Sequence, residues 1–433
     1  MMKTSLFFLL LWLTWCPKAF TQAKAWAELP ECRISQETVR RDAAILQSPA
    51  PTFFRLMPSR YAEIVEAGRG YRCTGVHSVA FDGLQYFQAG HSDDWGLPEL
   101  IPSVARVTHW SMAMSYDAIE VLLIVLTAAS GLVGLWKLSH TRQARVAAVG
   151  CVALVVLLEF RVADVYVFQS APMLCFIPWL VYLWRSRRDK LLLACAAAFV
   201  FTASWFSFVR SGTELICVAL VLPLCLAVRS FWKAALCLLV VGLLCLPAWL
   251  FAHRSNLQRD ELLARMGQRQ EIPEGHPLWH SVYIGLAFIP NSEVPKYEDQ
   301  SAKARVDSID PAVPYMSKRY NLILRHVVFE MALHKPWIII GNVLAKVAIM
   351  CVLPFVFLWP MRRTLKSRGK MTWIEWSFLL GGILSASGGI LVIPRLAYVL
   401  SFICLTTLFA TICYIEARGE TLVAVSSLRR VRA

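Results

Sequence analysis

Apolar residues in this chain gather into long runs, and the polar residues are pushed into the gaps between them. The runs fall at Ile119–Trp136, Val146–Leu158, Phe168–Trp184, Leu191–Val209, Leu215–Val228, Ala234–Ala252, Trp337–Trp359, Trp376–Ile393 and Leu396–Tyr414. A helix needs about 20 apolar residues to cross the hydrocarbon core of a bilayer, because each residue rises about 1.5 Å. The pattern therefore predicts an all-α polytopic membrane protein of about 9–10 spans. Trp136, Trp184, Trp337 and Trp359 stand at run ends, where an interfacial aromatic belt places them.

The start of the chain reads two ways. A basic "MMKTS", the apolar "LFFLLLWLTW" and "AKA" at 23–25 describe either a cleavable signal peptide or an uncut first helix. Both leave residue 26 on the outer side. Counting on from there, the inner pieces hold 19 Lys and Arg, and the short outer turns hold three: Arg161, Arg210 and Arg395. Basic residues collect on the cytoplasmic side, so this asymmetry sets the orientation. The segments are then a leader (1–25), a first outer loop (26–118), six spans (119–252), a second outer loop (253–336), three spans (337–414) and a basic inner tail (415–433).

Composition agrees with this picture. The 433 residues are 57% hydrophobic and 17% charged, against about 25% charge in soluble domains. The formal net charge of +15 is accounted for by topology, and no nucleic-acid partner is needed to explain it. Of thirteen cysteines, only Cys32 and Cys73 fall in the outer loops, which makes them a candidate disulfide in an oxidising compartment. Eight of the nine histidines lie in the same two loops.

Within the first loop, "SQETVRRDAAILQ" reads as a helix capped by Ser35. "SRYAEIVEAGRG" reads as a second helix ending on its glycines, and a third begins near Pro98. Between them lies "FDGLQYFQAGHSDDWG". Asp82 there reads either as the cap of a short helix ending at Gly90 or as a functional carboxylate flanked by Phe81, Tyr86 and Phe87. Asp93 and Asp94 read either as turn residues or as its acidic partners. Crowded carboxylates raise each other's pKa, which suits a general base.

The second loop carries "GHPLWHSVYIGLAFIPN". His276 and His280 are four apart, but Pro277 interrupts regular helix, and the aromatic run suits packing over a cavity or stacking on sugar rings. Tyr315–His334 reads as an amphipathic helix, lying flat on the membrane or packed on the loop, with Tyr320, Leu324, Val327, Val328 and Met331 on one face. Arg161 and Asp164, and Arg210 and Glu214, are spaced for local ion pairs. Arg161, Arg210 and Arg395 are equally suited to gripping a lipid phosphate. Lys346 falls inside a span, where it either faces a cavity or snorkels. The small residues of "GGILSASGG" suit close helix packing.

These features resemble the bacterial GT-C-type membrane glycosyltransferases. The resemblance rests on many spans, two large outer loops and the string "FDGLQYF", whose Asp82, Gly83 and Tyr86 match loosely that family's acidic motif. It implies that a polyprenyl-phosphate-linked sugar is the donor and that a lipid or glycan is the acceptor. Asp82 (or Asp94) would then be the base, and Tyr86, Arg161, Arg210, His276, His280, Lys346 and Arg395 the substrate contacts. No cofactor is required, a divalent cation being the one possible addition. Two other classes fit the same chain: an O-antigen ligase or polymerase-like enzyme centred on His276, His280 and Arg319, and a non-catalytic envelope transporter or scaffold.

The topology makes a first prediction. Single cysteines at Ser92 and Ser292 should react with an impermeant thiol reagent on intact cells, and one at Ser367 only after lysis; the reverse pattern inverts the orientation.

Overall fold

The computed structural model describes residues 58–82, 85–89, 96–227, 231–266, 278–358 and 372–432, apart from some side chains within the helices and those beyond residue 418. Fourteen helices and one hairpin are described. The first hydrophilic segment forms α1 (Pro58–Thr74), β1 (Val79–Phe81), β2 (Tyr86–Gln88) and α2 (Gly96–Thr108). The bundle follows as α3 (Met112–Leu138), α4 (Arg142–Val162), α5 (Val167–Arg185), α6 (Asp189–Phe206), α7 (Thr213–Leu226) and α8 (Phe231–Arg265). The second hydrophilic segment contributes α9 (Leu278–Gly285), α10 (Asp299–Asp307) and α11 (Lys318–His334). The chain ends in α12 (Pro336–Leu358), α13 (Trp373–Leu391) and α14 (Leu396–Arg432).

Among the described residues seven helices are long and apolar enough to cross a membrane: α3, α5, α6, α8, α12, α13 and α14. This is a multi-pass membrane protein. Seven of the nine expected runs meet that length and apolarity, and the leader lies outside the described residues. α7 has 14 residues, about 21 Å of helix, which is short of a full crossing. α4 has 21 residues, but Arg142, Arg145, Glu159 and Arg161 near its ends confine its apolar stretch. The expected helix within 35–47 lies outside the described residues.

α5 is the hub. Its most apolar stretch is 78% buried, against 11% for that of α8 at the edge of the bundle. It packs against α3, α6 and α14. The approach to α3 is close because Gly131 and Gly134 lack side chains: a Cβ at Gly131 would lie 2.6 Å from the Leu174 carbonyl oxygen, and one at Gly134 would lie 2.7 Å from Pro178. Ser130 and Trp179 add hydrogen bonds across the same seam. The "GGILSASGG" expectation of close packing holds for Gly381, pressed on Leu220 of α7, and Gly389, pressed on Val399 and Met350, while Gly382 faces open space.

Helix ends follow local chemistry. The side chains of Ser111, Thr141 and Ser317 accept the backbone N–H of Met114, Ala144 and Tyr320, which starts α3, α4 and α11. Thr372 and Glu375 form a capping box at α13. α1 runs past the expected stop, because Gly68 and Gly70 serve close contact with Pro102 and the Val79 backbone instead of ending the helix. The expected helix from Asp82 to Gly90 is replaced by the antiparallel β1–β2 hairpin, which pairs Val79 with Gln88 and Phe81 with Tyr86.

α8 also continues past its expected end at Ala252. Its 35 residues extend about 50 Å, well beyond a bilayer core of about 30 Å. Its far portion carries Arg259 to the first hydrophilic segment, where Arg259 Nη1 donates to Ser78 Oγ at 3.3 Å. α11 buries Tyr320, Leu324, Val327, Val328 and Met331 in the second segment's own core, so the loop-packing alternative describes that face. Leu322, Phe329 and Leu333 form a second, exposed apolar face.

The α3–α5 seam yields a prediction. Gly131→Val should cost roughly 1–3 kcal/mol through overpacking and lower the thermal midpoint of the purified protein, whereas Gly150→Val, where a Cβ meets open space, should leave it unchanged.

Candidate functional site

Polar chemistry gathers where the hydrophilic segments meet one end of the bundle. α4 ends because Ala163 adopts the left-handed region (φ 33°), with its N–H on the Glu159 carbonyl. The Tyr116 hydroxyl donates to the Ala163 carbonyl at 2.6 Å and pins this turn to α3. The turn then presents Asp164 and Tyr166. Asp164 bonds Arg60 of α1 at 3.0 Å, both side chains being largely buried. The expected partner, Arg161, lies exposed on α4 instead.

From Tyr166 an aromatic run crosses the bundle. Arg210, from the α6–α7 turn, sits 4.4 Å above the Tyr166 ring. Tyr166 meets Tyr398 of α14 edge to face at 5.2 Å. The Tyr297 hydroxyl, from the second segment, donates to the Tyr398 hydroxyl at 3.2 Å. Arg395 lies 5.0 Å above the Tyr297 ring. Arg60 and Arg210 both act electrostatically on Tyr166. Gln169 ties the neighbouring turns together through the Ser211 carbonyl and the Ser401 hydroxyl. Cations over aromatic faces gain about 0.5–2 kcal/mol each, so Arg210 and Arg395 are held in place over Tyr166 and Tyr297.

Below this layer lie two carboxyls inside the bundle. Glu159 accepts from Ser170 Oγ at 2.7 Å, and Glu120 is fully buried with neither oxygen hydrogen-bonded among the described residues. Asp117, Glu159 and Asp164 are the acidic neighbours of Glu120. A carboxyl without a hydrogen-bond partner inside a membrane bundle is a costly arrangement and marks a functional position by default.

Asp82 sits at the turn of the β1–β2 hairpin, where its carboxylate accepts the Gln85 N–H at 2.9 Å. Its acidic neighbour in space is Glu66 of α1. Burial, and then the charge of Asp82, push the Glu66 carboxyl above its ordinary value. Sequence reading had looked for the partner carboxylates downstream, at Asp93 and Asp94; these residues, His276 and Cys32 lie outside the described residues. Tyr86 stacks on Phe81 at 4.5 Å within the same hairpin. Cys73 is disulfide-bonded, and the ten other cysteines among the described residues are free thiols.

His280 is fully buried in the second segment. Its Nδ1 meets the Tyr320 hydroxyl at 2.9 Å and its Nε2 meets Asp299 Oδ1 at 3.1 Å. Both ring nitrogens are used, so this histidine braces α9, α10 and α11 and does not face a substrate. Arg319 pairs with Asp310. Lys346 is 1% exposed in α12, one turn beyond Asn342, so it does not snorkel to the surface. A second buried pair sits under the hairpin, where Glu99 holds the His77 ring at 2.9 Å and the Ser78 N–H at 2.5 Å. Among the described residues no cluster of three His, Cys, Asp or Glu has the arrangement of a metal site.

The structure thus brings Arg210 and Arg395 into one network and leaves Arg161, Asp82, His280 and Lys346 outside its contacts. Asp164 is legible in sequence only as a partner for Arg161, and Arg60, Glu66, Tyr166, Tyr297 and Tyr398 are not singled out there; the spacing of Tyr297 and Tyr398, 101 residues apart, carries no local signal. The class defined by fold and site is a multi-pass membrane protein with a cationic, aromatic layer at one end of its bundle. No protein-family model, curated protein or solved structure matches this chain.

Glu66 supplies a pH prediction. Its folded form holds a proton more tightly than the unfolded chain, so its contribution favours folding below about pH 4.3 and is lost as pH rises through the raised value. Glu66→Gln should therefore raise the thermal midpoint at pH 8 and leave it unchanged at pH 4; an equal shift at both values would detach Glu66 from the effect.

Proposed function

We propose that this chain is a membrane glycosyltransferase. It transfers a sugar from a polyprenyl-phosphate-linked donor to a lipid or glycan acceptor at the outer face of the cytoplasmic membrane. The observation carrying this reading is the layer in which Arg210 and Arg395 flank Tyr166, Tyr398 and Tyr297, with Arg60 alongside. Guanidiniums suit a phosphate, and tyrosine rings suit the apolar face of a sugar.

The chemistry follows from these groups. An acceptor hydroxyl oxygen attacks the anomeric carbon, the bond from that carbon to the phosphate oxygen breaks, and the phosphate leaves with the electron pair. Arg210 and Arg395 stabilise the charge that develops on it. Asp82, at the hairpin turn and outside the contacts of the arginine–tyrosine network, is the base to which the family resemblance assigns the hydroxyl proton, so the acceptor has to reach from the hairpin to that layer. Phosphate needs little protonation to leave, so no cofactor is called for.

The O-antigen ligase-like reading loses ground because His280 has no nitrogen left for an acceptor. A transporter reading has one observation in its favour, the unpartnered Glu120 carboxyl within the bundle.

A reconstituted assay with polyprenyl-phosphate sugars distinguishes these. Arg210→Ala and Arg395→Ala should raise the KM for donor at least about tenfold, with Arg→Lys variants partly restored. Asp82→Asn should abolish turnover while the protein inserts and accumulates normally. Full activity in Asp82→Asn removes that residue from the mechanism. Sugar transfer untouched by all three, together with lost substrate movement in Glu120→Gln, replaces the enzyme by a transporter.

A further inference from the structure

At the end of the bundle away from both hydrophilic segments, a groove of about 630 Å³ lies between α4 and α14. It runs from Arg142 to Leu154 along α4, about 18 Å of helix, which is close to the depth of one leaflet. Its walls are apolar over most of that length. Its mouth carries two guanidiniums, Arg142 at the start of α4 and Arg418 on α14, both exposed. Arg418 is steadied by Tyr414, whose ring it overlies at 5.4 Å and whose hydroxyl its Nε reaches at 3.3 Å.

Among the described residues nothing fills this space. Gly150 lines the groove, and a Cβ there would meet nothing within 4 Å. Thr407 lines it deeper, 4% exposed, with a hydroxyl that has no hydrogen-bond partner among the described residues. A groove one leaflet deep, apolar inside and doubly cationic at the level of the headgroups, matches one kind of molecule.

We propose that the α4–α14 groove is a binding site for an anionic glycerophospholipid. Its phosphate would lie between Arg142 and Arg418, and an acyl chain would lie along Gly150 and Leu154 toward Thr407. The depth favours a glycerophospholipid over a long isoprenoid phosphate, whose chain would overrun a single leaflet. The site is at the opposite end of the bundle from the Arg210–Arg395 layer and stands independently of the sugar-transfer reading.

Native mass spectrometry of the full chain released from detergent, titrated with phosphatidylglycerol or phosphatidylcholine, tests this. The wild type should retain one phosphatidylglycerol in preference to phosphatidylcholine. Arg142→Ala and Arg418→Ala should each weaken that retention roughly fivefold, and Gly150→Leu, which fills the groove without a clash, should abolish it while thermal unfolding stays unchanged. Equal retention of the two lipids, or retention indifferent to both the arginine and the Gly150 variants, would mean bulk annular lipid and overturn the proposal. Preferential capture of a polyisoprenyl phosphate over phosphatidylglycerol would overturn the assigned occupant.

Discussion

The close contact between α3 and α5 governs the rest of the bundle. Where Gly131 and Gly134 let the two backbones approach, α5 is drawn into the centre, and α6 and α14 pack around it. Inside a bilayer, lipid tails are as apolar as the helices, so association depends on packing and on hydrogen bonds such as that from Trp179 to Ser130. Once α5 is central, the turn leading into it is central too. That turn carries Asp164 and Tyr166, and for this reason Arg60, Arg210 and Tyr398 all reach the same place from different parts of the chain.

A second consequence concerns how charge is handled. The arginines of the layer rest on aromatic faces or on Asp164. The carboxyls beneath them, Glu120 and Glu159, are enclosed by helices and have one hydrogen bond among their four oxygens within the described residues. The layer therefore changes character over a short distance, from cationic and partly open to acidic and enclosed. Transfer chemistry would use the first of these regions, whereas proton or ion movement would use the second.

Much of the architecture was legible along the chain, because crossing a membrane demands a length and an apolarity that local composition reveals. The runs that became α3, α5, α6, α8, α12, α13 and α14 all carry that signature. α4 and α7 fall short of the length or apolarity that marks the other seven, α4 because charged residues close in on its apolar core and α7 because it has 14 residues. The β1–β2 hairpin was misread as a helix, since "GLQYFQA" between an aspartate and a glycine satisfies both patterns, and pairing of Val79 with Gln88 decides for strand. At the site, Arg210 and Arg395 stood out because a charge beside a span is conspicuous. Tyr166, Tyr297 and Tyr398 did not, because tyrosines at membrane ends are common and only the fold stacks these three. Glu66 was hidden for a related reason: its neighbour Asp82 is sixteen residues away and is brought near by the hairpin folding back on α1.

The length of α8 has a mechanical meaning. Its buried share among the described residues is small, and its extension is lodged in the first hydrophilic segment through Arg259 and Ser78. A helix of this kind adjusts to a thinner or thicker bilayer by tilting. Any such tilt is passed along the helix, through the turn at Pro247, to the residue next to His77 and, through β1, to the strand that ends beside Asp82. The lipid composition around α8 thereby becomes a physical input to the position of that carboxylate.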